Sequence, residues 1–215
     1  MRRLIIVGAG GAGSEALFVA ARMTGEWEVV GFCDDAPRLK GAVLEGVPVL
    51  DGVEGVIARY GADSLWFHCA VGRNDTRKRI AERLEAAGFR PATLVDPTAV
   101  VAPSAVVGAG TYVAPLAFAG PGARIGRHVM INVHASVGHH SAVGDFAQLC
   151  PGARLSGGAV MGEGAFIGSN AVTVPLVRVG EWATLGAASL AARDVPPRVT
   201  AIGVPAAVRA PAAHP

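Results

Sequence analysis

The sequence predicts two domains: an α/β domain with a Rossmann-like β-α-β start, followed by an all-β solenoid of parallel coils. Three observations predict it. An apolar strand runs into a glycine-rich turn near the start, charged residues become sparse after about residue 95, and a six-residue repeat extends from Val101 to Ala191. We therefore predict domains at residues 1–95 and 96–195, with a C-terminal tail at residues 196–215.

The composition limits the classes of function. Of the 215 residues, 51% are apolar, 17% are charged and 29 are glycine, which disfavours a helical bundle because glycine suits tight turns and weakens helices. A net charge of +2 provides no basic surface for nucleic acid. Cys33, Cys69 and Cys150 form no CxxC pair, and the first apolar run is too short for a signal peptide or a membrane span. We expect a soluble protein of the reducing cytoplasm.

The first strand and helix frame a glycine-rich turn. Residues 4–7 are apolar, as a buried parallel strand requires, and Gly8, Gly10 and Gly11 follow them. Glycine lets the backbone turn tightly and approach a ligand. Ser14 is expected to cap the next helix, whose N-terminal amides would then face a phosphate.

Two further strands complete the first domain. The second strand, WEVVGFCDD, ends at Asp34 and Asp35, where a β-α-β unit delivers acidic side chains to a bound ribose or base. A third segment has a strand to Val71, a turn at Gly72 and a helix that carries Arg77, Arg79 and Arg83, and most of its charge is expected to form a solvated face. About half of a dinucleotide motif is present, so a mononucleotide or a nucleotide sugar fits better. A glycine turn without a ligand is the alternative.

The second half of the chain repeats every six residues. From Val101 onwards, every sixth residue is apolar except Thr173, and glycine follows nine of the sixteen. Neither the 3.6-residue period of a helix nor the 2.0-residue period of a strand fits this pattern. Each hexad must instead form one flat face of a coil with an aliphatic residue pointing inward. Three faces close one turn of the coil, so sixteen hexads stack into about five turns that bury one another.

The whole chain resembles one family. The motifs IIVGAGGAG, GFCDD and AVGRNDTRKRI, the hexads, and AIGVPA near the end resemble the bacterial sialic-acid O-acetyltransferase and UDP-4-amino-sugar N-acetyltransferase family. The resemblance implies a left-handed parallel β-helix, acetyl-CoA as co-substrate and no metal. It also implies a nucleotide-linked sugar on the N-terminal domain, and a homotrimer with active sites at subunit interfaces.

The resemblance also implies a catalytic base. Family members carry it in a segment of the form N-x-x-A-x-V-x-H-[DE]-x-x-I-G, and this sequence reads NVHASVGHHSAVG, which makes His139 the base. An amine or hydroxyl that attacks a thioester must lose a proton, and imidazole accepts one near neutral pH. His140 stands where the family has the carboxylate that orients the base, and we include it among the catalytic residues. Glu15, Asp75 and Asp145 are alternative partners.

The remaining site residues also follow from the resemblance. Two departures affect them: Ala12 replaces a frequent histidine of the glycine loop, and Ala207 replaces a lysine of the closing motif, which predicts a weaker contact to the CoA phosphates. Gly157 is the expected donor to the oxyanion. The predicted substrate-binding residues are Gly8, Gly10, Gly11, Asp34, Asp35, Gly72, Asn74 and Asn132, and the predicted cofactor-binding residues are Gln148, Gly157, Ser169 and Ala187.

The function predicted from these residues is N-acetylation of a nucleotide-linked amino sugar by acetyl-CoA. O-acetylation of a sugar or a small hydroxyl acceptor is the first alternative. A zinc enzyme similar to gamma-class carbonic anhydrases is the second, because His134 and His139 are spaced like two of its three ligands. The third is a non-catalytic binding module, suggested by His140 and Ala12.

Overall fold

The computed structural model describes residues 1–61 and 64–209. The chain divides into two compact units, residues 1–97 and residues 98–215, close to the expected start of the solenoid. The last part of the predicted tail, residues 210–215, lies outside the described residues. Within the described ranges, no helix has both the length and the apolar character needed to cross a bilayer.

The first unit is an α/β domain. Its elements are β1 (Arg2–Val7), α1 (Gly11–Arg22), β2 (Trp27–Cys33), a 3₁₀ turn (Pro37–Leu39), β3 (Val43–Leu44), β4 (Val47–Asp51), α2 (Val53–Arg59), β5 (Trp66–Cys69), α3 (Asn74–Ala86), β6 (Arg90–Pro91) and β7 (Leu94–Val95). The central sheet has the order β3-β4-β2-β1-β5-β6, and β1 is parallel to both β2 and β5. Leu4, Ile5 and Ile6 of β1 are fully buried, as expected for a central parallel strand.

One local prediction in this unit is wrong. Ser14 does not cap α1, because the helix begins at Gly11 and has Gly10 as its N-cap, without a side-chain hydrogen bond to the cap. The backbone N–H of Ser14 instead donates to the carbonyl of Gly10, as the first turn of the helix. The glycine-rich turn therefore leads directly into the helix. The free N–H groups at the start of the helix lie at the turn itself.

The second unit is a parallel β-helix built from two-residue strands. The strands are β8 (Val100–Val101), β9 (Val106–Val107), β10 (Tyr112–Val113), β11 (Phe118–Ala119), β12 (Arg124–Ile125), β13 (Met130–Ile131), β14 (Ser136–Val137), β15 (Ala142–Val143), β16 (Gln148–Leu149), β17 (Arg154–Leu155), β18 (Val160–Met161), β19 (Phe166–Ile167), β20 (Val172–Thr173), β21 (Arg178–Val179), β22 (Thr184–Leu185) and β23 (Leu190–Ala191). The second residue of each strand is the residue that the six-residue repeat predicts to point inward.

Each face of the coil is one parallel sheet. Strands three apart in the chain are neighbours, so the orders include β23-β20-β17-β14-β11-β8 and β21-β18-β15-β12-β9. Register partners such as Phe118 and Ser136 are one turn of the coil apart. After the last coil, β24 (Thr200–Gly203) pairs with β22 and forms an antiparallel hairpin with β25 (Ala206–Arg209).

The corners of the coil have an unusual backbone. A residue with positive φ recurs there, including His128, His140, Asn170 and Trp182. Such a conformation is costly for a side chain that bears Cβ, so the coil must impose it. Five of these side chains lie over a glycine one turn earlier, namely those of His128, His140, Asn170, Leu176 and Trp182. A Cβ on Gly122, for example, would lie 2.9 Å from Cδ2 of His140. Some of these corners, such as that of His140, present an exposed side chain, whereas the ring of His128 is buried and stacks on that of Phe146.

Candidate active site

His139 and His140 form a pair at one corner of the coil. Their Nδ1 atoms lie 3.1 Å apart, and their rings meet edge to face with centroids 5.3 Å apart. Both residues are exposed in the single chain. A hydrogen bond between two ring nitrogens requires one to donate and the other to accept. If His139 donates from Nδ1, its Nε2 keeps a free lone pair and can act as a base.

Gly157 lies directly against the imidazole of His139. A Cβ built on Gly157 would be 2.4 Å from Nε2 and 2.7 Å from Cε1 of that ring. The carbonyl of His139 accepts the N–H of Gly158 at 2.9 Å, which fixes the two coils at this corner. The N–H of Gly157 makes no hydrogen bond to another described residue. The base and an available backbone donor therefore lie side by side.

His140 is held by the backbone of the preceding coil. It has φ of 55°, and its N–H donates to the carbonyl of Pro121 at 2.9 Å. Its ring also lies over Gly122, where a larger residue would clash. These contacts fix the corner from which His140 turns its ring towards His139.

Two of the three carboxylates considered as alternative partners are engaged elsewhere, and the third, Glu15, is exposed on α1. Asp75 is paired with Arg73 at 2.7 Å, and the hydrogen bond from Arg73 lowers the pKa of Asp75 to about 2. Asp145 accepts the backbone N–H of Arg127 at 2.8 Å. Among the residues that the structure describes, no carboxylate pairs with either ring of the corner. Within the coil, the contact to Nδ1 of His139 comes from His140.

Asn132 and Gln148, two further predicted contact residues, are buried in the coil. The side-chain amide of Asn132 donates to the carbonyl of Leu149 at 2.7 Å, and that of Gln148 approaches Sγ of Cys150 at 3.7 Å. Both therefore support the wall of the coil, and their contacts with ligands stay predictions.

Ser169 and Ala187, the other predicted cofactor contacts, occupy one corner on successive coils. The carbonyl of Ser169 accepts the N–H of Ala188 at 2.8 Å. Ala187 lines a cavity of about 540 Å³ beside the hairpin of β24 and β25. Their positions on one corner, next to a cavity, suit an extended ligand that runs along the coil.

The glycine turn of the first unit is organised by Asp34. Gly8 has φ of 103°, a conformation that favours glycine, and a Cβ there would lie 2.8 Å from the carbonyl oxygen of Ala70. The two carboxylate oxygens of Asp34 accept the N–H groups of Ala9 at 2.8 Å and Ala36 at 2.9 Å. Asp34 therefore shapes the turn, whether or not it also contacts a ligand.

A cavity of about 220 Å³ lies at the carboxyl ends of β1 and β2. Gly8, Asp34 and Asp35 line it, as expected for a ligand crevice at this edge of a parallel sheet. Sequence reasoning missed Thr76 and Arg79, which also line the cavity. Their spacing on α3 was the available signal, since residues three apart share one helix face. Arg79 is exposed as well as lining the cavity, in keeping with the expectation that most of the helix charge is solvated, and Arg77 is the buried exception.

The other predicted substrate residues of this unit, Gly10, Gly11, Gly72 and Asn74, do not line that cavity. Asn74 is buried, and its Oδ1 accepts a hydrogen bond from Arg77 at 2.9 Å. Arg77 also donates to the carbonyl of Val71 at 2.8 Å, and burial lowers the pKa of its guanidinium to about 10. Arg77 is thus still charged at neutral pH and fixes the loop before α3.

Neither a cysteine nucleophile nor a metal centre is indicated by the described residues. Cys33, Cys69 and Cys150 are buried free thiols, and burial raises the pKa of each, which keeps them protonated and unreactive. Within residues 1–61 and 64–209, no three His, Cys, Asp or Glu side chains converge as metal ligands. His134, the second histidine of the zinc alternative, is an exposed corner residue with φ of 57°.

Comparisons with known proteins agree on the class of the fold. Residues 3–84 match the family model of the PglD N-terminal domain. The acetyltransferase domain of PglB from Neisseria gonorrhoeae, solved in complex with acetyl coenzyme A, is 31% identical, with coverage of 97% of this chain and 99% of that chain and a TM-score of 0.90. No curated protein matches at a significant level.

Two further solved structures match over nearly the full length. A variant of perosamine N-acetyltransferase from Caulobacter crescentus, in complex with CoA and GDP-perosamine, is 28% identical, with 98% of each chain covered and a TM-score of 0.91. WeeI from Acinetobacter baumannii is 24% identical, with 97% of this chain and 100% of that chain covered and a TM-score of 0.88. These matches confirm the predicted α/β domain followed by a left-handed parallel β-helix.

Proposed function

Because the chain belongs to the bacterial nucleotide-sugar acetyltransferase family, we propose that it transfers the acetyl group of acetyl-CoA to the amino group of a nucleotide-linked sugar. The acyl donor follows from the family, since solved relatives include one complex with acetyl coenzyme A and one with CoA. The N-acetyl outcome is favoured over O-acetylation by the relative that is named as an N-acetyltransferase and that binds GDP-perosamine.

The proposed chemistry begins with the amine. Its nitrogen attacks the thioester carbonyl carbon, the C–S bond then breaks, and an amide and CoA result. The nitrogen loses a proton to Nε2 of His139, and this proton then passes to the departing sulfur, so one imidazole serves both steps. The N–H of Gly157 is the proposed donor to the oxyanion of the tetrahedral intermediate.

The observation that carries this proposal is the corner itself. His139 is held at Nδ1 by His140, while its Nε2 lies against the backbone of Gly157. A base and an oxyanion donor must lie within a few ångströms of the same reacting carbon, and this corner brings the two together. Both rings are exposed, so a substrate can reach them.

His140 is proposed to position His139 by accepting its Nδ1–H. A neutral imidazole can do this, but it stabilises the protonated base less than a carboxylate does. We expect His140→Ala to lower kcat about tenfold, because the orientation of the base is lost. We expect His140→Glu to keep kcat at or above the wild-type value and to move the acid limb of the kcat/KM profile to higher pH, because the carboxylate favours the protonated form of His139.

The measurement for this prediction is the pH dependence of CoA release for the wild type and both variants. An acid limb at the same pH in the wild type and in His140→Glu would show that residue 140 does not contact the base. Equal kcat in all three proteins would contradict the positioning role. His134→Ala is the matched control, because His134 is also an exposed corner histidine with positive φ.

The proposed binding region of the nucleotide sugar is the first unit. Its cavity has aliphatic walls at Val7, Val53 and Val71. The charged residues of the lining are Asp34, Asp35 and Arg79. At about 220 Å³ the cavity fits only one part of the substrate, such as the base. The backbone N–H groups of the glycine turn are proposed to face the diphosphate. Asn132 stays a proposed contact to the sugar.

A homotrimer is proposed from the exposed apolar residues of the coil. Val100 and Phe118 are register partners on neighbouring coils and are 60% and 40% exposed, and Val106 is 58% exposed. An apolar surface of this kind suits contact with another copy of the chain. A site between subunits would then enclose the exposed histidine pair.

The buried free thiols and the need for acetyl-CoA support the predicted cytoplasmic location.

The experiment that tests the function measures CoA release from acetyl-CoA with a panel of UDP-, GDP- and dTDP-linked amino sugars. The matching sugars that carry a hydroxyl instead of the amine serve as controls. We expect turnover with one nucleotide class and only with its amine, and an increase in product mass by one acetyl group. Turnover with the hydroxyl sugars alone would replace N-acetylation by O-acetylation. No turnover with any member would contradict the proposed substrate class.

A further inference from the structure

The cavity of about 540 Å³ in the second unit contains one charged residue among its lining residues. One wall is the corner at residues 187–189, and the other is formed by the hairpin of β24 and β25. The hydroxyl of Ser189 accepts the N–H of Gly203 at 2.9 Å, which ties the hairpin to the corner. The rest of the lining consists of small or aliphatic residues and their backbone, and the charged residue is Arg209.

Arg209 is available to bind an anion. It is exposed, and while its backbone pairs with that of Thr200 in the hairpin, its guanidinium makes no hydrogen bond or ion pair with another residue of the described ranges. A guanidinium offers several N–H donors in a planar arrangement that matches phosphate oxygens. Every other residue that lines the cavity is uncharged, so an anionic ligand would meet no repulsion from the lining.

The register of the hairpin places Arg209 near Ala207, the residue that replaces the lysine of the closing motif. Ala207 faces Ile202 and Arg209 faces Thr200 across the two strands. Side chains two residues apart lie on the same face of a strand, about 7 Å apart along it. The extended side chain of arginine spans a similar length. The guanidinium of Arg209 can therefore reach the space in front of Ala207, where the short side chain leaves room.

We propose that Arg209 binds a phosphate group of acetyl-CoA and supplies the cation that Ala207 does not. The inference rests on the proposed function, because the established family supplies the ligand: CoA carries a diphosphate and a ribose 3′-phosphate. The sequence predicted a weaker contact to these phosphates because Ala207 replaces a lysine. In this proposal Arg209 makes the contact instead. The two kinds of phosphate share the same chemistry, and the experiment separates them.

The experiment is calorimetric titration of CoA and of 3′-dephospho-CoA into the wild type, Arg209→Gln, Arg209→Lys and the double variant Ala207→Lys/Arg209→Gln. We expect Arg209→Gln to raise the Kd for CoA about tenfold, as for the loss of one exposed charge-assisted contact. Arg209→Lys and the double variant should recover most of the affinity. Arg178→Gln is the matched control, since Arg178 is exposed on β21, which belongs to a different face of the coil.

The two ligands locate the contact. If Arg209 binds the 3′-phosphate, Arg209→Gln weakens CoA but not 3′-dephospho-CoA; if it binds the diphosphate, both are weakened equally. Binding of CoA by Arg209→Gln within twofold of the wild type overturns the inference and leaves the proposed function intact. A wild type that binds no CoA overturns both. Equal losses of CoA affinity in Arg178→Gln and Arg209→Gln would show that the effect comes from the net charge of the protein and not from a specific contact. That result would also overturn the inference.

Discussion

His139→Ala lowers kcat by roughly 10²-fold or more, the scale on which a positioned general base acts. The reason is specific to this corner: His139 presents Nε2 beside Gly157, and its only ring hydrogen bond among the described residues is the one to His140. Initial rates of CoA release from acetyl-CoA and the accepted nucleotide sugar measure the effect. The KM for acetyl-CoA should change little, because the lost group acts on the proton of the amine.

The control for this result is a variant that keeps a polar side chain at residue 139 but has no basic nitrogen. His139→Asn keeps a polar side chain of similar shape but no basic nitrogen, so it should be as slow as the alanine variant. An asparagine variant with near wild-type kcat would contradict the role of His139 as a base.

Gly157→Ala is expected to lower kcat/KM by about 10²-fold without unfolding the protein. A Cβ at residue 157 would lie 2.4 Å from Nε2 of His139, so the ring must move away. Displacement of a reacting group by about 1 Å costs rate on this scale. The backbone itself accepts a side chain here, because the same position of other hexads is occupied by residues such as Glu163, Ser169 and Ala187.

The matched test is a double-mutant cycle. In the His139→Ala background the added methyl group meets no imidazole, so Gly157→Ala should cause almost no further loss of rate. Thermal unfolding of Gly157→Ala should stay close to that of the wild type. Additive losses in the double variant would mean that residue 157 acts independently of His139, and the contact between the two would then not explain the effect.

The solenoid could be predicted from the sequence because its signal is redundant. Each inward residue from Val101 to Ala191 obeys the same period, and each became the second residue of a two-residue strand. The start of α1 could not be predicted in the same way. Ser14 has the chemistry of a cap, but the glycine turn allows the helix to begin earlier, at Gly11. At such helix boundaries the surrounding structure, and not the capping preference of a single residue, determines where the helix begins.

The candidate site was only partly visible in the sequence. The resemblance named His139, but it left four partners open, and the positive φ of His140 that brings the two Nδ1 atoms together has no marker in a single sequence. The spacing of Thr76 and Arg79 predicts one helix face, but whether that face lines a cavity depends on how α3 packs against the sheet. Arg209 was missed for a similar reason, since its relation to Ala207 follows from the register of the hairpin.

The proposed mechanism depends most directly on which nitrogen of His139 carries the proton. Nitrogen-15 NMR of the protein labelled at its six histidines, with signals assigned through His139→Asn, reports the protonated nitrogen of each neutral ring. We predict that the neutral ring of His139 carries its proton on Nδ1 and that His140→Ala removes this preference. A proton on Nε2 of His139 in the wild type would leave no lone pair facing Gly157 and would contradict the proposed base.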